Sequence, residues 1–194
     1  MIRRLVILAI SITLGACVSV PEQSADAYNP EKHARIRLYA QPTKPAKIYY
    51  YDFENRKGFA LTMGGGVTEM AASLLGTIKN ESVGMPQTEV SKSFDSENGI
   101  LPNNVYKSFY KEFIVPAATT LWINYRFEEE EYYSDPNRRM PDRLYWCSTG
   151  LTVDAKAGKD YEIVPIQTEH SCKLTAFEIA PNGDVKEVKK RYEY

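Results

Sequence analysis

The run from Leu121 to Glu128 constrains this chain more than any other stretch, because Leu121, Ile123, Tyr125 and Phe127 alternate with Trp122, Asn124, Arg126 and Glu128. A period of two puts the first set on one face of a strand and the second on the other, so the segment is a strand with one face in a core. Beyond the first 16 residues the apolar runs are short, and 14 tyrosines, 11 prolines and 10 glycines punctuate them. Many short strands fit that pattern better than long helices do. The expected fold is mainly β: an antiparallel β-sandwich with one amphipathic helix, about residues 67–79, packed on it.

The remaining strands read off in order. Ile36, Leu38 and Ala40 alternate with Arg35, Arg37 and Tyr39, which predicts a half-buried strand over 35–40. Strands over 46–53 and 58–63 flank the polar turn Glu54-Asn55-Arg56-Lys57, and the three together are expected to form a meander. An aromatic, extended segment from Val105 to Val115 ends at Pro116. Short strands at 144–147 and 151–154 lead through the turn Lys156 to Asp160 into a return strand over 161–166. Pro181-Asn182-Gly183-Asp184 then joins strands over 172–180 and 185–190, so the chain is expected to close in two consecutive hairpins. Lys79 to Asn104 is polar and broken by Gly and Pro, which predicts a surface course with at most one short strand near Thr88 to Ser91.

The helix is signalled by Val67, Met70, Ala71, Leu74, Leu75 and Ile78, spaced as one face of 3.6 residues per turn. The preceding Gly64-Gly65-Gly66 lacks the lysine of a P-loop and the spacing of a dinucleotide site, so it reads as a permissive turn. Glu69 and the short length argue against a membrane-packing helix.

The start of the chain sets its expected address. Arg3 and Arg4 precede an apolar stretch from Leu5 to Leu14, too short to span about 30 Å of hydrocarbon, which is the pattern of a cleaved signal peptide. Leu14-Gly15-Ala16-Cys17 resembles the lipobox of bacterial lipoproteins. The resemblance implies that Cys17 becomes the acylated mature N-terminus, palmitate included, and two or more chains hold a protein on a bilayer almost irreversibly. The polar segment Val18 to Ala34, with Pro21 and Pro30, reads as a tether. Inner-membrane lipoproteins resemble one another in carrying aspartate after the cysteine, and Val18 stands there, which points to the outer membrane. The expected organisation is a signal peptide at 1–16, the lipidated cysteine and flexible tether at 17–34, and a single β-sandwich domain at 35–194.

That address places the other two cysteines in an oxidising compartment, where a Cys147–Cys172 disulfide is the default. Closing such a loop is worth about 3 kcal/mol in the chain-entropy picture. A cysteine nucleophile with His170 as its base is the rival, and no motif supports it. The stretch from Leu151 through Ala157-Gly158-Lys159 to Ile163, bracketed by the two cysteines, resembles the closing segment of several families of small, uncharacterised β-sandwich lipoproteins. The resemblance covers the last third of the chain and implies a fold, with no catalytic residues to carry over.

Loss of Arg3 and Arg4 with the signal takes the formal charge from −1 to −3, against nucleic acid as a partner. Two histidines leave no zinc set of the usual kind, no GxSxG elbow is present, and no spacing marks a pair of catalytic carboxylates. Neither a metal nor another cofactor is expected. Glu128, Glu129, Glu130 and Glu131 open what reads as an acidic loop running to Pro141, without the glycine and ligand spacing of a calcium loop. The sequence therefore favours a non-catalytic binding or assembly module anchored at the outer membrane, meeting an envelope protein or polymer. One alternative is an inhibitor or immunity protein that docks Glu128 to Glu131 on a cationic hydrolase; another is an envelope hydrolase.

Overall fold

Two sheets face each other across one apolar core in the structure, a computed structural model that describes residues 24–41, 45–52, 57–95, 109–131, 143–168 and 171–188. The signal peptide and Cys17 lie outside those residues, as does His170. The strands are β1 (His33–Ala40), β2 (Ala46–Asp52), β3 (Lys57–Met63), β4 (Phe109–Pro116), β5 (Thr119–Glu131), β6 (Arg143–Ala155), β7 (Asp160–Thr168), β8 (Ser171–Ile179) and β9 (Val185–Glu187). One sheet runs β4-β1-β7-β8-β9 and the other β3-β2-β5-β6. Ile36 and Leu38 from β1, Ile163 from β7 and Leu174 from β8 meet Ile48, Leu121, Ile123 and Leu151 from the facing sheet. The period-two residues of the sequence thus supply the core of a mainly β sandwich, as expected.

Connectivity departs from the expected meander and hairpins in two places. β2 pairs with β3, but β1 belongs to the other sheet, because the chain between Gln41 and Pro45 crosses from one sheet to the other. Pro42 and Pro45 supply no backbone donor, so a continuous ladder cannot run through them. Likewise β6 and β7 are not a hairpin. The turn at Lys156 to Lys159 carries the chain between sheets, and β7 lies parallel to β1, Arg35 opposite Asp160 and Arg37 opposite Glu162. The true hairpins are β7–β8 and β8–β9, the latter closed by Gly183 at φ 88° in the predicted Asn-Gly turn. β6 is a single strand rather than two, and β5 continues through Glu131 instead of opening a loop at Glu128.

Residues 24–34, within the stretch read as a tether, carry local structure. Ser24 caps a 3-10 turn at Ala25–Ala27, Tyr28 lies 4.3 Å over the Arg35 guanidinium, and β1 begins at His33, with Ala34 wholly buried. His33 Nδ1 accepts a hydrogen bond from the Asn29 amide.

Helix α1 (Val67–Leu74) starts after Gly64 and Gly65, both at positive φ, in line with the permissive-turn reading. It stops earlier than residue 79 because Gly76, at φ 67°, closes it: the Thr77 amide donates to Ala72 O at 2.8 Å and the Gly76 amide to Ser73 O at 3.0 Å. That pair of bonds is a Schellman cap, which glycine makes without a Cβ clash. The expected burial of its apolar face is not what the structure shows. Val67, Leu74 and Leu75 are 78%, 64% and 76% exposed, and the helix's buried residue is Ser73.

A second helix, α2 (Glu89–Asp95), occupies the stretch read as a surface loop with a strand. Its start is a reciprocal cap: the Thr88 amide donates to Ser91 Oγ at 2.8 Å, and the Ser91 amide to Thr88 Oγ1 at 3.1 Å. This is the capping-box arrangement with serine in the place usually taken by glutamate or glutamine.

Candidate functional site: a buried clamp and an open aromatic face

The outer faces of the two sheets differ. Over the five-stranded sheet lies a strap, residues 80–95, which explains why β1 is buried on both faces rather than half-buried. The strap enters beside β4, with the Glu81 amide donating to Tyr110 O and the Glu112 amide to Glu81 O. It then crosses a charged row that the registers assemble, Glu112 opposite Arg37 and Arg37 opposite Glu162. Arg37 donates to Glu112 Oε1 from Nε at 3.0 Å and Nη2 at 2.6 Å, and from Nη1 to Glu162 Oε1 at 3.1 Å. Glu112 Oε2 accepts from Ser82 Oγ and the amides of Val83 and Met85. Arg37 Nη2 also reaches Pro86 O at 2.9 Å, and Thr88 Oγ1 donates to Glu162 Oε1 at 2.7 Å. Tyr39 donates to the same Glu162 oxygen. Beside this row Arg35 holds Asp160 with two bonds of 2.7 Å and donates to Gly84 O at 2.8 Å.

Burial by itself would lower the Arg37 pKa, but the hydrogen bond and charge of Glu112, joined by Tyr39 and Glu162, raise it above its ordinary value, so the guanidinium stays charged. Burial, reinforced by Glu162, pushes the Tyr39 phenol upward, so it stays protonated and donates. Two carboxylates, a phenol and two hydroxyls around one guanidinium have the composition of a catalytic site. Their arrangement serves another role: Arg37, Tyr39, Glu112, Glu162, Thr88 and Ser91 are all buried, and the strap's own groups take up Glu112 Oε2 and reach Glu162 Oε1, while Glu162 Oε2 has no hydrogen-bond partner among the described residues. The row is a clamp that fixes the strap to the sheet. Phe94 completes it, its ring 4.4 Å from that of Tyr39.

Over the four-stranded sheet the outer face carries no strap among the described residues, and much of it is exposed. The row Ala60, Tyr49, Trp122 and Thr152 crosses β3, β2, β5 and β6 in register. Trp122 is 45% exposed, Tyr51 two residues along β2 from Tyr49 is 38% exposed, and their β3 neighbours Gly58 and Ala60 are too small to cover ring faces. Thr152 is buried in this row, and its hydroxyl has no hydrogen-bond partner among the described residues. Next along, Asn124 pairs with Gly150; a Cβ on Gly150 would fall 2.6 Å from Asn124 Oδ1 and 3.1 Å from Ile123 O. Only glycine lets the amide lie there. Lys47 and Thr62 extend the polar margin, and Thr120 donates to Asp154 at 2.7 Å on the other side. The face thus offers aromatic surface edged by an amide, hydroxyls and one ammonium.

Of the site residues expected from sequence, Glu128 to Glu131 occupy β5 opposite Trp146, Tyr145, Leu144 and Arg143. Cys172 is disulfide-bonded, while the side chain of Cys147, on β6, lies outside the described residues, as does Cys17. The described residues hold no group of three or more His, Cys, Asp or Glu placed to take a metal ion. The clamp and the aromatic face were not foreseen. The alternation of β5 had placed Trp122 and Asn124 on the face away from the core, which was the available signal for the second.

The class this architecture defines is a two-sheet β-sandwich with one strapped and one open outer face. No protein-family model matches the chain, and no curated protein or solved structure does either.

Proposed function

We propose that this chain is a non-catalytic binding and assembly module, held at the outer membrane through lipid on Cys17, whose open sheet face takes an envelope glycan. The observation that carries the reading is the Tyr49–Trp122 row with Tyr51 beside it. An exposed aromatic row on a rigid sheet is costly to leave in water and is a mark of an interaction site. Ring faces flanked by Gly58 and Ala60 can stack on the C–H faces of sugar rings, while Asn124 and Thr62 reach hydroxyls. A sheet also presents these groups with little conformational entropy left to lose on binding.

The lipid anchor is supported by the lipobox residues and by the chain's entry into the fold. Cys17 stands within about 25 Å of contour from Ser24, where the described structure begins. Tryptophan fluorescence titrated with soluble oligosaccharides of a β-linked amino-sugar glycan tests the reading. The expected result is a saturable change lost in Trp122→Phe combined with Tyr51→Ser. An unchanged signal in the wild-type protein at millimolar oligosaccharide rejects the glycan.

A further inference from the structure

The face of the four-stranded sheet holds two polar groups that ring stacking does not use, and the registers set them side by side. Trp122 stands opposite Thr152 and, two residues along, Asn124 stands opposite Gly150, so Asn124 and Thr152 are diagonal neighbours on one outer face. Such neighbours on antiparallel strands lie about 7–8 Å apart. Asn124 is exposed, and its carboxamide lies over Gly150, where a Cβ would come within 2.6 Å of Oδ1. No hydrogen bond among the described residues holds it there. Gly150 therefore keeps a notch in the sheet surface, and the notch already accommodates an amide.

Thr152, the next outward position along β6, is 4% exposed, and its hydroxyl has no hydrogen-bond partner among the described residues. Folding strips such a group of water without returning a bond, a cost that valine in the same place would avoid. Glu162 Oε2 is also without a partner, but it lies on the other sheet, under the strap. Thr152 sits in the row of the exposed Trp122, and a buried polar group left unpaired there breaks a folding rule in the way a binding site does. The hydroxyl is closed to solvent in the free protein. Beside it, the group free to turn aside is the Asn124 carboxamide.

We propose that Asn124 and Thr152 read the acetamido group of an N-acetylated amino sugar whose ring stacks on Trp122. The acetamido group is a trans secondary amide, with its N–H and its C=O on opposite edges. Such a group is matched by an acceptor on one side and a donor on the other. The Asn124 carboxamide turns out of the notch and its Oδ1 accepts from the N–H. The acetamido group enters over Gly150, and Thr152 Oγ1 donates to its C=O. A sugar with a hydroxyl at that position reaches one of the two partners and leaves the other unpaired. Selectivity of this kind rests on the reading of the face as a glycan site.

Calorimetric titration of the purified protein with a β-linked N-acetylglucosamine tetrasaccharide and with the matching glucose tetrasaccharide tests it. The wild type should bind the acetylated chain about tenfold more tightly, the yield of one or two net hydrogen bonds. Asn124→Ala and Thr152→Val should each bring that ratio to within about threefold without changing the affinity for the glucose chain, and Thr152→Ser should keep the wild-type ratio. Thr152→Val should also raise the urea midpoint, because it removes an unpaired buried hydroxyl; a gain in stability with a loss of selectivity is not what a purely structural threonine gives. Equal affinity of the wild type for the two chains, an unchanged ratio in either variant, or a lower urea midpoint for Thr152→Val would each overturn the inference and leave the glycan reading standing. Binding of neither chain by the wild type would overturn both.

Discussion

Arg37 and Glu112 sit 2.6 Å apart with neither side chain reached by solvent, and the same guanidinium reaches Glu162 on the opposite neighbouring strand. A buried guanidinium flanked by two carboxylates survives desolvation only while all three are present. Arg37→Met leaves two buried, uncompensated carboxylates and should cost about 3–5 kcal/mol. A triple variant that also carries Glu112→Gln and Glu162→Gln should recover part of that loss. Urea denaturation checks both, and equal stability of Arg37→Met and wild type would remove the clamp from the account.

Alkali probes the same cluster through Tyr39. The burial that raises the Tyr39 phenol above its ordinary value of 10.0 also raises that of Tyr125. An acidic group with a raised folded-state value contributes stability that is whole below pH 10 and is lost as the pH rises, because the unfolded chain ionises first. Stability should therefore fall above about pH 10, by up to about 1.4 kcal/mol per pH unit for each such phenol. Tyr39→Phe should show a shallower fall by one proton's share. An identical slope in the variant contradicts the assignment.

Gly183 tests the contact between the last hairpin and the strap. Its φ of 88° suits glycine, and a Cβ there would lie 2.3 Å from Gln87 O, a backbone atom that cannot swing aside. Gly183→Ala should destabilise by about 1–3 kcal/mol and raise amide exchange in 85–91. Protection unchanged in that segment would show that the hairpin does not secure the strap.

The cysteines are separable by chemistry. Mass spectrometry without reductant should show Cys172 joined to Cys147, and two free thiols in protein from its native compartment would reject that pairing. Labelling with a fatty-acid analogue should mark the wild type and not Cys17→Ser; undiminished label in the variant rejects lipidation at Cys17.

Legibility in the sequence followed the range of the forces involved. β propensity and the polar turn between them reported β2 and β3 nearly to their ends, and period two reported the middle of β5, since each needs only its own residues to reach a core. The Asn182-Gly183 turn was legible because turn chemistry is local. Arg35, Arg37 and Tyr39 read as a solvent face, yet Arg37 and Tyr39 are buried and Arg35 half-buried, because alternation reports two different faces without reporting what covers the second. The cover came from residues 80–95, whose capping pair Thr88 and Ser91 is weak in sequence and strong only once Glu162 is beneath it. Parallel pairing of β1 with β7 joins residues 125 positions apart, as in Arg35 with Asp160, and no local pattern encodes such a partner. The apolar face of α1 was legible as a stripe, but not that Val67, Leu74 and Leu75 on it are exposed, because spacing reports a face without reporting what covers it.

The glycan face is the centre of the functional account, and co-sedimentation with insoluble cell-wall glycan tests it most directly. The purified wild-type protein should pellet with the glycan in a saturable manner that 0.5 M salt leaves intact, because stacking rather than charge holds it. Trp122→Ala with Tyr51→Ala should remain in the supernatant while keeping the wild-type unfolding midpoint within about 0.5 kcal/mol, as exposed substitutions do. Equal pelleting of the wild type and this double variant would contradict the account.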